Sequence, residues 1–259
     1  MRLDIHIQKM ELHDQKHKKS ISLIKDIQFS LEGGDTVSLI GPSGSGKTTL
    51  LRIIAGLHDE YEGKIDITGV EAKSRDERMQ YVFQDSFLLP WLNVKGAIKF
   101  AKSGIGKVEI DAWLDKFKIL DKRESYPKTL SGGEQARVAL AMSLIKKPAI
   151  LLLDEPFHSL DIITKLEIQE IIKTMVSEHK IATIVVSHDI NDAINMSNRI
   201  LILKKGPLSI GGEFKVSEYQ DKSCLMNEIT ECLKKFKSLQ NTSNQPTTSG
   251  QQNTSGLAF

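Results

Sequence analysis

A glycine-rich octapeptide constrains this chain more than any other feature of its sequence. Residues Gly41–Thr48 read G-P-S-G-S-G-K-T, which fits the pattern G-x-x-x-x-G-K-[ST]. The β-rich run Asp35–Ile40 precedes it, and Thr49–Ala55 follows with a helical pattern that stops at Gly56. A strand, a glycine-rich turn and a helix form the context that a phosphate-binding loop requires, and a chance Gly/Ser turn would lack it. The sequence therefore predicts a site for a nucleoside triphosphate.

Each part of this loop has a chemical role. The glycines let the backbone curl so that its N–H groups face the phosphates, and the helix N-terminus adds partial positive charge. Lys47 is predicted to reach the β- and γ-phosphates, and the Thr48 hydroxyl to ligate Mg²⁺. The predicted nucleotide-binding residues here are Gly41, Pro42, Ser43, Gly44, Ser45, Gly46, Lys47, Thr48 and Thr49.

A second apolar run ends in an acidic pair. Ala149–Asp154 reads A-I-L-L-L-D, and Glu155 follows it. Buried parallel strands read as continuous apolar runs, and ligands bind at their carboxyl ends. We therefore predict Asp154 as a residue of the Mg²⁺ site and Glu155 as the general base that activates the attacking water. An Asp-Glu-Pro turn is common on surfaces, but its position after five apolar residues favours the catalytic interpretation.

A second anion site is predicted about ninety residues after the phosphate loop. Leu130–Glu134 reads L-S-G-G-E and precedes the helical run Gln135–Ala141. Ser131, Gly132 and Gly133 would present backbone N–H groups at a helix start, where anions bind. The position before a helix argues against a merely flexible turn.

With this segment the chain resembles the ATP-binding cassette (ABC) ATPases, over roughly residues 1–215. In that family the segment meets the γ-phosphate of ATP held by the opposite subunit, so that two chains enclose two ATP molecules head to tail. The resemblance implies ATP and Mg²⁺ as ligands and a second ABC ATPase subunit, expected to be an identical copy, as partner. The resemblance also implies roles for three further residues. Gln84, in Y-V-F-Q, would be a catalytic residue that contacts Mg²⁺ and water, and Asp161, in S-L-D, would signal across the dimer at the nucleotide. His188, in V-V-S-H-D, would be the catalytic switch histidine.

Two positions depart from the family pattern. Members usually stack an aromatic ring on adenine from the loop after the first strand, but Met10–Lys19 contains no Phe, Tyr or Trp. His13 or His17 could stack there instead. The signature ends in Glu134, where glutamine is more frequent, and this variant occurs in functional members. The pattern therefore predicts triphosphate binding and leaves the base open.

Composition and charge exclude several classes of protein. The net charge of +2 is too small to indicate a nucleic-acid partner, and Lys16–Lys19 fits a solvated hairpin turn, with contact to anionic lipid as the alternative. No apolar run approaches the eighteen or so residues that span a bilayer, and the N-terminus shows no secretion signal. Cys224 and Cys232 lack metal spacing and are expected to be unpaired thiols. We expect a peripheral protein on the cytoplasmic face of the cell membrane.

The predicted fold class is α/β, a P-loop NTPase of the ABC cassette type with a RecA-like core, an antiparallel β subdomain and an α-helical subdomain. The ATPase domain is expected to span residues 1–240, with the helical subdomain at about 86–145 and a final helix at 218–238. Residues 241–259 are polar, with few apolar side chains, and are expected to be a disordered tail. The chain has no internal repeat and so supplies one cassette, although a full catalytic unit needs two.

The segment after Gln84 indicates the branch of the family. Phe87–Val94 reads F-L-L-P-W-L-N-V, in which Pro90 and Trp91 would form a rigid aromatic platform for an integral-membrane permease that docks near Gln84–Val94. The alternative is that Trp91 packs inside the helical subdomain. The motif resembles the branch that imports nitrate, sulfonates and taurine, which implies an importer ATPase served indirectly by an extracytoplasmic substrate-binding protein.

Two other functions remain open from the sequence. An exporter or lipoprotein-release ATPase would use the same chemistry with another permease. A soluble cassette ATPase of the cluster-assembly scaffold type would have no permease, and co-fractionation with membranes would distinguish it. The transported molecule is not encoded in this chain.

Overall fold

Two β-sheets and their flanking helices make up residues 1–14, 19–70, 78–85 and 87–243, which are the residues that the computed structural model describes. The strands are β1 Arg2–Asp14, β2 Lys19–Glu32, β3 Thr36–Ile40, β4 Glu62–Thr68, β5 Met79–Val82, β6 Ile150–Asp154, β7 Ala182–Val186, β8 Arg199–Lys204 and β9 Ser209–Lys215. The helices are α1 Lys47–Ile54, α2 Val94–Ala101, α3 Lys107–Lys116, α4 Gly132–Leu144, α5 Ile162–His179, α6 Ile190–Met196 and α7 Lys222–Ser243.

The larger sheet has the strand order β5-β6-β7-β3-β8-β9. The first five strands in this order, from β5 through β3 to β8, pair in parallel, and the edge strand β9 is antiparallel to β8. Every residue of β3, β6 and β7 is buried, as continuous apolar runs require when both faces of a sheet are covered. Because parallel strands end at the same edge, the residues that follow β3, β6 and β7 are brought together there.

The smaller sheet has the order β2-β1-β4 and is antiparallel throughout. Its inward positions on β1, Leu3, Ile5 and Ile7, are buried, whereas the residues between them are more exposed, which is the alternation of a sheet with one covered face. Strands β1 and β2 form an antiparallel hairpin, in agreement with the hairpin turn predicted at Lys16–Lys19. Its polar turn, including Lys16 and His17, lies outside the described residues, as does the side chain of His13.

Three helices, α2, α3 and α4, lie within the segment predicted as a helical subdomain. Phe117 and Leu140 from this segment share one apolar core with Leu151 of β6 and Ile172 of α5. A second core joins α1, the large sheet and the antiparallel sheet, and a third lies under α6 and α7. The described helices therefore cover the faces of the large sheet. The candidate site lies at its carboxyl edge, in the loops that follow β3, β6 and β7.

The end of the chain differs from the prediction in its helix boundary. Helix α7 runs Lys222–Ser243, so it begins later than predicted and includes the first three residues of the segment expected to be disordered. Residues 244–259 lie outside the described residues. Within the part of the chain that is described, no helix combines the length and apolarity that crossing a bilayer requires.

Candidate active site

The phosphate loop connects β3 to α1 in a tight backbone curl. Gly44 and Gly46 have φ values of +68° and +101°, in the left-handed region that favours glycine. Gly46 is the N-cap of α1, and the helix begins at Lys47, so the helix N-terminus points into the loop. The local conformation is that of a phosphate-binding loop, as the octapeptide predicts.

The Lys47 ammonium lies inside this loop. Its Nζ donates to the carbonyl oxygens of Gly41, at 2.9 Å, and Pro42, at 3.0 Å. Burial lowers the pKa of Lys47, and the charges of Glu155 and Asp154 oppose this shift. The buried hydroxyl of Ser45 has no hydrogen-bond partner among the described residues. A buried cation and an unsatisfied hydroxyl in one loop fit an anionic ligand with several acceptor oxygens.

Asp154 lies at the carboxyl end of β6 and accepts two hydrogen bonds. Thr48 Oγ1 donates to its Oδ1 at 3.1 Å, and the Tyr81 hydroxyl donates to its Oδ2 at 2.9 Å. Burial raises the pKa of Asp154, whereas the hydrogen bonds from Tyr81 and Thr48 act to lower it. Burial, followed by the charge of Asp154, raises the pKa of Tyr81 well above its ordinary value. Tyr81 was not predicted as a site residue from the sequence, although it lies only three residues before Gln84.

Glu155 has an unusual backbone conformation for a residue other than glycine. Its φ is +48°, and its N–H donates to the carbonyl oxygen of Val186 at 3.0 Å. This conformation turns the chain sharply after β6, and it is uncommon for a residue other than glycine. The Glu155 carboxylate then meets His188, with 3.1 Å between Oε2 and Nδ1. The structure thus brings together the predicted general base and the predicted switch histidine.

The L-S-G-G-E segment forms the N-terminus of α4. The Ser131 N–H donates to Glu134 Oε2 at 2.7 Å, and the Glu134 N–H donates to Ser131 Oγ at 3.3 Å, which is a capping box. The hydrogen bond from the Ser131 backbone is the main cause that lowers the pKa of Glu134. A Cβ added to Gly133 would lie 2.9 Å from the Ser159 carbonyl oxygen, so glycine allows α4 to start against the loop that contains Asp161.

Asp161 is the N-cap of α5. Its Oδ1 accepts a hydrogen bond from the Thr164 N–H at 3.0 Å, and hydrogen bonds from the side chain and the backbone of Thr164 lower the pKa of Asp161. Gln84, in contrast, is exposed, and no hydrogen bond joins it to Asp154, Thr48 or Glu155 within the described residues. Its assignment as a metal and water contact stays a prediction.

A partly buried ionic network behind His188 was not predicted from the sequence. The Lys165 Nζ lies 3.1 Å from Asp189 Oδ2 and 2.8 Å from Asp192 Oδ1. Asp192 also accepts a hydrogen bond from Gln169 Nε2 at 3.0 Å. Because Lys165 is four residues after Asp161 and Asp189 directly follows His188, this network joins the start of α5 to the histidine loop. Asp189 and Asp192, which follow His188, are the sequence feature that could have indicated this network.

The oxygen donors at this edge fit Mg²⁺. The set comprises the Thr48 hydroxyl and the Asp154 carboxylate beside the phosphate loop. Mg²⁺ is usually bound by one or two protein oxygens together with substrate phosphates and water. Among the described residues, no group of three or more His, Cys, Asp or Glu side chains could hold a metal ion on its own. The residues therefore suit a cation that arrives with its phosphate ligand.

This site is that of a P-loop nucleoside triphosphatase. It combines a phosphate loop, an acidic pair after a buried strand and a histidine that contacts this pair. The family model described as ABC transporter matches residues 24–158. The aliphatic sulfonates import ATP-binding protein SsuB of Bacillus thuringiensis subsp. konkukian (strain 97-27) is 38% identical over 208 residues, covering 79% of this chain and 83% of that protein. SsuB of Zymomonas mobilis subsp. mobilis is 33% identical over 225 residues, covering 85% of this chain and 94% of that protein. The chain belongs to the ABC transporter family and is one of its ATP-hydrolysing subunits.

A solved structure supports the same fold. The ABC cassette MJ0796, in a dimeric post-hydrolysis state bound to ADP and Pi, aligns with a TM-score of 0.70 at 28% identity. The alignment covers 83% of this chain and 99% of that chain. The predicted α/β cassette fold and the predicted ATPase activity are thereby confirmed.

Proposed function

We propose that this chain is the energy-coupling ATPase of an ABC importer for a small molecule or anion of the nitrate, sulfonate or taurine type. The observation that carries the proposal is the match along most of the chain to two proteins named for aliphatic sulfonate import. ATP binding would close a dimer of cassettes and drive the permease to an outward-facing state, and hydrolysis would release it.

The proposed chemistry follows from the residues at the carboxyl edge of the large sheet. Lys47 and the loop N–H groups hold the triphosphate, and Thr48 and Asp154 hold the cation. Bound Mg²⁺ neutralises charge on the phosphate oxygens. Glu155 takes the proton of the attacking water, and His188, 3.1 Å away, orients that carboxylate.

Dimerisation completes the proposed site. Gly132 and Gly133 offer backbone N–H groups that one chain would direct to the γ-phosphate held by the other, and Ser131 offers its hydroxyl there, because its own N–H is bonded to Glu134. Beside Asp161, the side chains of Ile162, Ile163 and Leu166 are exposed, the first two by 75% and 73%. Three adjacent exposed aliphatic side chains favour an interface, and the aligned MJ0796 structure is of a dimer.

The permease would bind at an aromatic groove beside the Gln84–Val94 segment. This aromatic groove is lined by residues that include Tyr81, Phe83, Phe87, Phe100 and Met142. Trp91, four residues after Phe87 in the sequence, is 69% exposed, which supports the platform over the buried alternative. Exposed aromatic side chains are enriched at binding hot spots and suit an apolar helix of a membrane partner. The substrate-binding protein would act through the permease.

The test uses tagged Glu155→Gln protein with ATP and Mg²⁺, captured from detergent-solubilised membranes. We expect it to retain ATP and to bring down a polytopic permease, which mass spectrometry would identify together with its substrate-binding protein. The matched control carries Trp91→Asp as well, and should lose the permease while still binding ATP.

Recovery of soluble partners alone, with the chain absent from the membrane fraction, would refute the importer and favour a soluble cassette scaffold. Recovery of an export or lipoprotein-release permease would refute import while leaving the coupling role intact.

A further inference from the structure

The metal-site carboxylate has a second partner that the phosphate loop does not supply. Of the two Asp154 oxygens, Oδ1 accepts from Thr48 and Oδ2 accepts from the Tyr81 hydroxyl at 2.9 Å. Asp154 is 2% exposed, so water cannot easily replace a lost partner. Hydrogen bonds to a charged acceptor are among the stronger ones in proteins.

Strand pairing explains why Tyr81 can reach this carboxylate. Strands β5 and β6 are parallel neighbours, with Tyr81 in register with Leu152, two residues before Asp154. Side chains two residues apart on a strand point to the same face. The phenol ring therefore lies on the face of the sheet where the Asp154 side chain emerges and spans the distance to it.

The same ring belongs to the aromatic groove. Tyr81 packs against Phe83 with 4.4 Å between ring centroids, and Phe83 meets Phe87 edge to face at 5.4 Å. The three rings form a continuous row from the groove to the Tyr81 hydroxyl. A change in the packing of this row can therefore move the hydroxyl that holds Asp154.

We propose that Tyr81 is a positioning residue that holds Asp154 in the orientation required for the cation, and that its ring packing links the cation site to the aromatic groove. The inference rests on the proposed role of Asp154 in holding Mg²⁺. With Oδ2 held by Tyr81, Oδ1 faces Thr48 and the proposed cation. Docking in the groove would then act on the metal site through a side chain that both share.

The experiment measures Mn²⁺ binding by electron paramagnetic resonance, on the full chain saturated with a non-hydrolysable ATP analogue. Tyr81→Phe keeps the ring and removes only the hydroxyl. We expect its Kd for Mn²⁺ to rise about tenfold, the loss expected for one hydrogen bond to a carboxylate. Affinity for the analogue in EDTA and the thermal denaturation midpoint should stay near those of the wild type.

Tyr219→Phe is the matched control, because Tyr219 donates the same type of bond to Glu228 at 2.7 Å on the exposed surface. It should leave Mn²⁺ binding unchanged. Asp154→Asn tests the underlying assignment separately. If Asp154→Asn weakens Mn²⁺ binding and Tyr81→Phe does not, the positioning role is refuted alone; if neither does, the proposed metal site fails too.

A double-mutant cycle tests the link to the groove. Phe83→Ala removes the ring that packs on Tyr81 and should raise the Kd for Mn²⁺ about threefold, the order expected for one aromatic pair. In the Tyr81→Phe background it should have little further effect, because the hydroxyl that transmits it is gone. Equal effects in both backgrounds, or none in either, would refute the link.

Discussion

At the scale of single residues, catalysis is proposed to rest on the turn after β6. Glu155 adopts a left-handed backbone conformation there, and this directs its carboxylate to His188. A glutamine of the same shape keeps the turn but cannot accept a proton from water. A substitution of Glu155 by glutamine should therefore affect hydrolysis without affecting nucleotide binding.

Glu155→Gln should lower the ATP hydrolysis rate by about 10²- to 10⁴-fold, which is the usual contribution of a general base. ATP affinity, measured by equilibrium dialysis, should change little. The matched control is Glu178→Gln at the exposed end of α5, with unchanged turnover. Normal hydrolysis by Glu155→Gln would remove Glu155 from this role.

At the scale of elements, the network of Lys165 joins α5 to α6 and the histidine loop. Asp192 is nearly buried and depends on Lys165 for its compensating charge. Burial acts to lower the pKa of Lys165, but the hydrogen bonds and charges of Asp192 and Asp189 outweigh it and raise this pKa. The pair therefore stabilises the packing of the two helices behind the site.

Lys165→Met should lower the free energy of unfolding by about 2 kcal/mol, because it leaves the buried Asp192 carboxylate with the Gln169 hydrogen bond but without a compensating charge. Lys173→Met is the control on the same helix, since its ion pair with Glu170 is exposed and should contribute less than about 0.5 kcal/mol. Urea denaturation of both variants measures the two changes in the free energy of unfolding. Equal losses would show that Lys165 is an ordinary surface charge.

The capping box at the start of α4 makes a second prediction at this scale. The pKa of Glu134 is held below its ordinary value of 4.5 by its hydrogen bonds to Ser131. A carboxyl with a depressed folded-state pKa contributes stability above the unfolded value, and this contribution is lost as the pH falls through the folded value.

Glu134→Gln should therefore flatten the loss of stability between about pH 5 and pH 3, by less than about 1 kcal/mol because the group is near the surface. Urea denaturation at several pH values measures this slope. Glu109→Gln, which breaks the exposed pair with Lys102, is the control and should leave the slope as in the wild type. A Glu134→Gln curve parallel to that of the wild type would contradict the assignment.

At the scale of the whole molecule, the exposed aliphatic side chains beside Asp161 predict how two copies associate. Ile163→Glu should prevent the ATP-dependent dimer in the Glu155→Gln background, because a charge would be buried at the interface. Analytical ultracentrifugation with ATP and Mg²⁺ measures the association. Val108→Glu, at a side chain 85% exposed on α3, is the control and should still dimerise. Dimers of Ile163→Glu as stable as those of the control would place the interface elsewhere.

Motifs and apolar runs in the sequence were enough to predict the α/β fold class and to name most of the candidate site residues. The structure places two of the predicted site segments where the sequence puts them, because one short segment holds both the strand and the candidate residues, as in Gly41–Thr48 after β3 and Asp154 with Glu155 at the end of β6. Parallel strands bring such segments to a common edge, so their assembly follows from topology.

Which distant side chains contact these residues could be read only from the folded chain. Tyr81 and Asp154 are 73 positions apart, and Lys165 and Asp189 are 24 apart, so no local pattern relates them. Their contacts depend on strand register and helix packing, which set distances of about 3 Å that sequence spacing does not encode. The same holds for the 3.1 Å contact between Glu155 and His188, because it requires the left-handed turn that the sequence did not reveal.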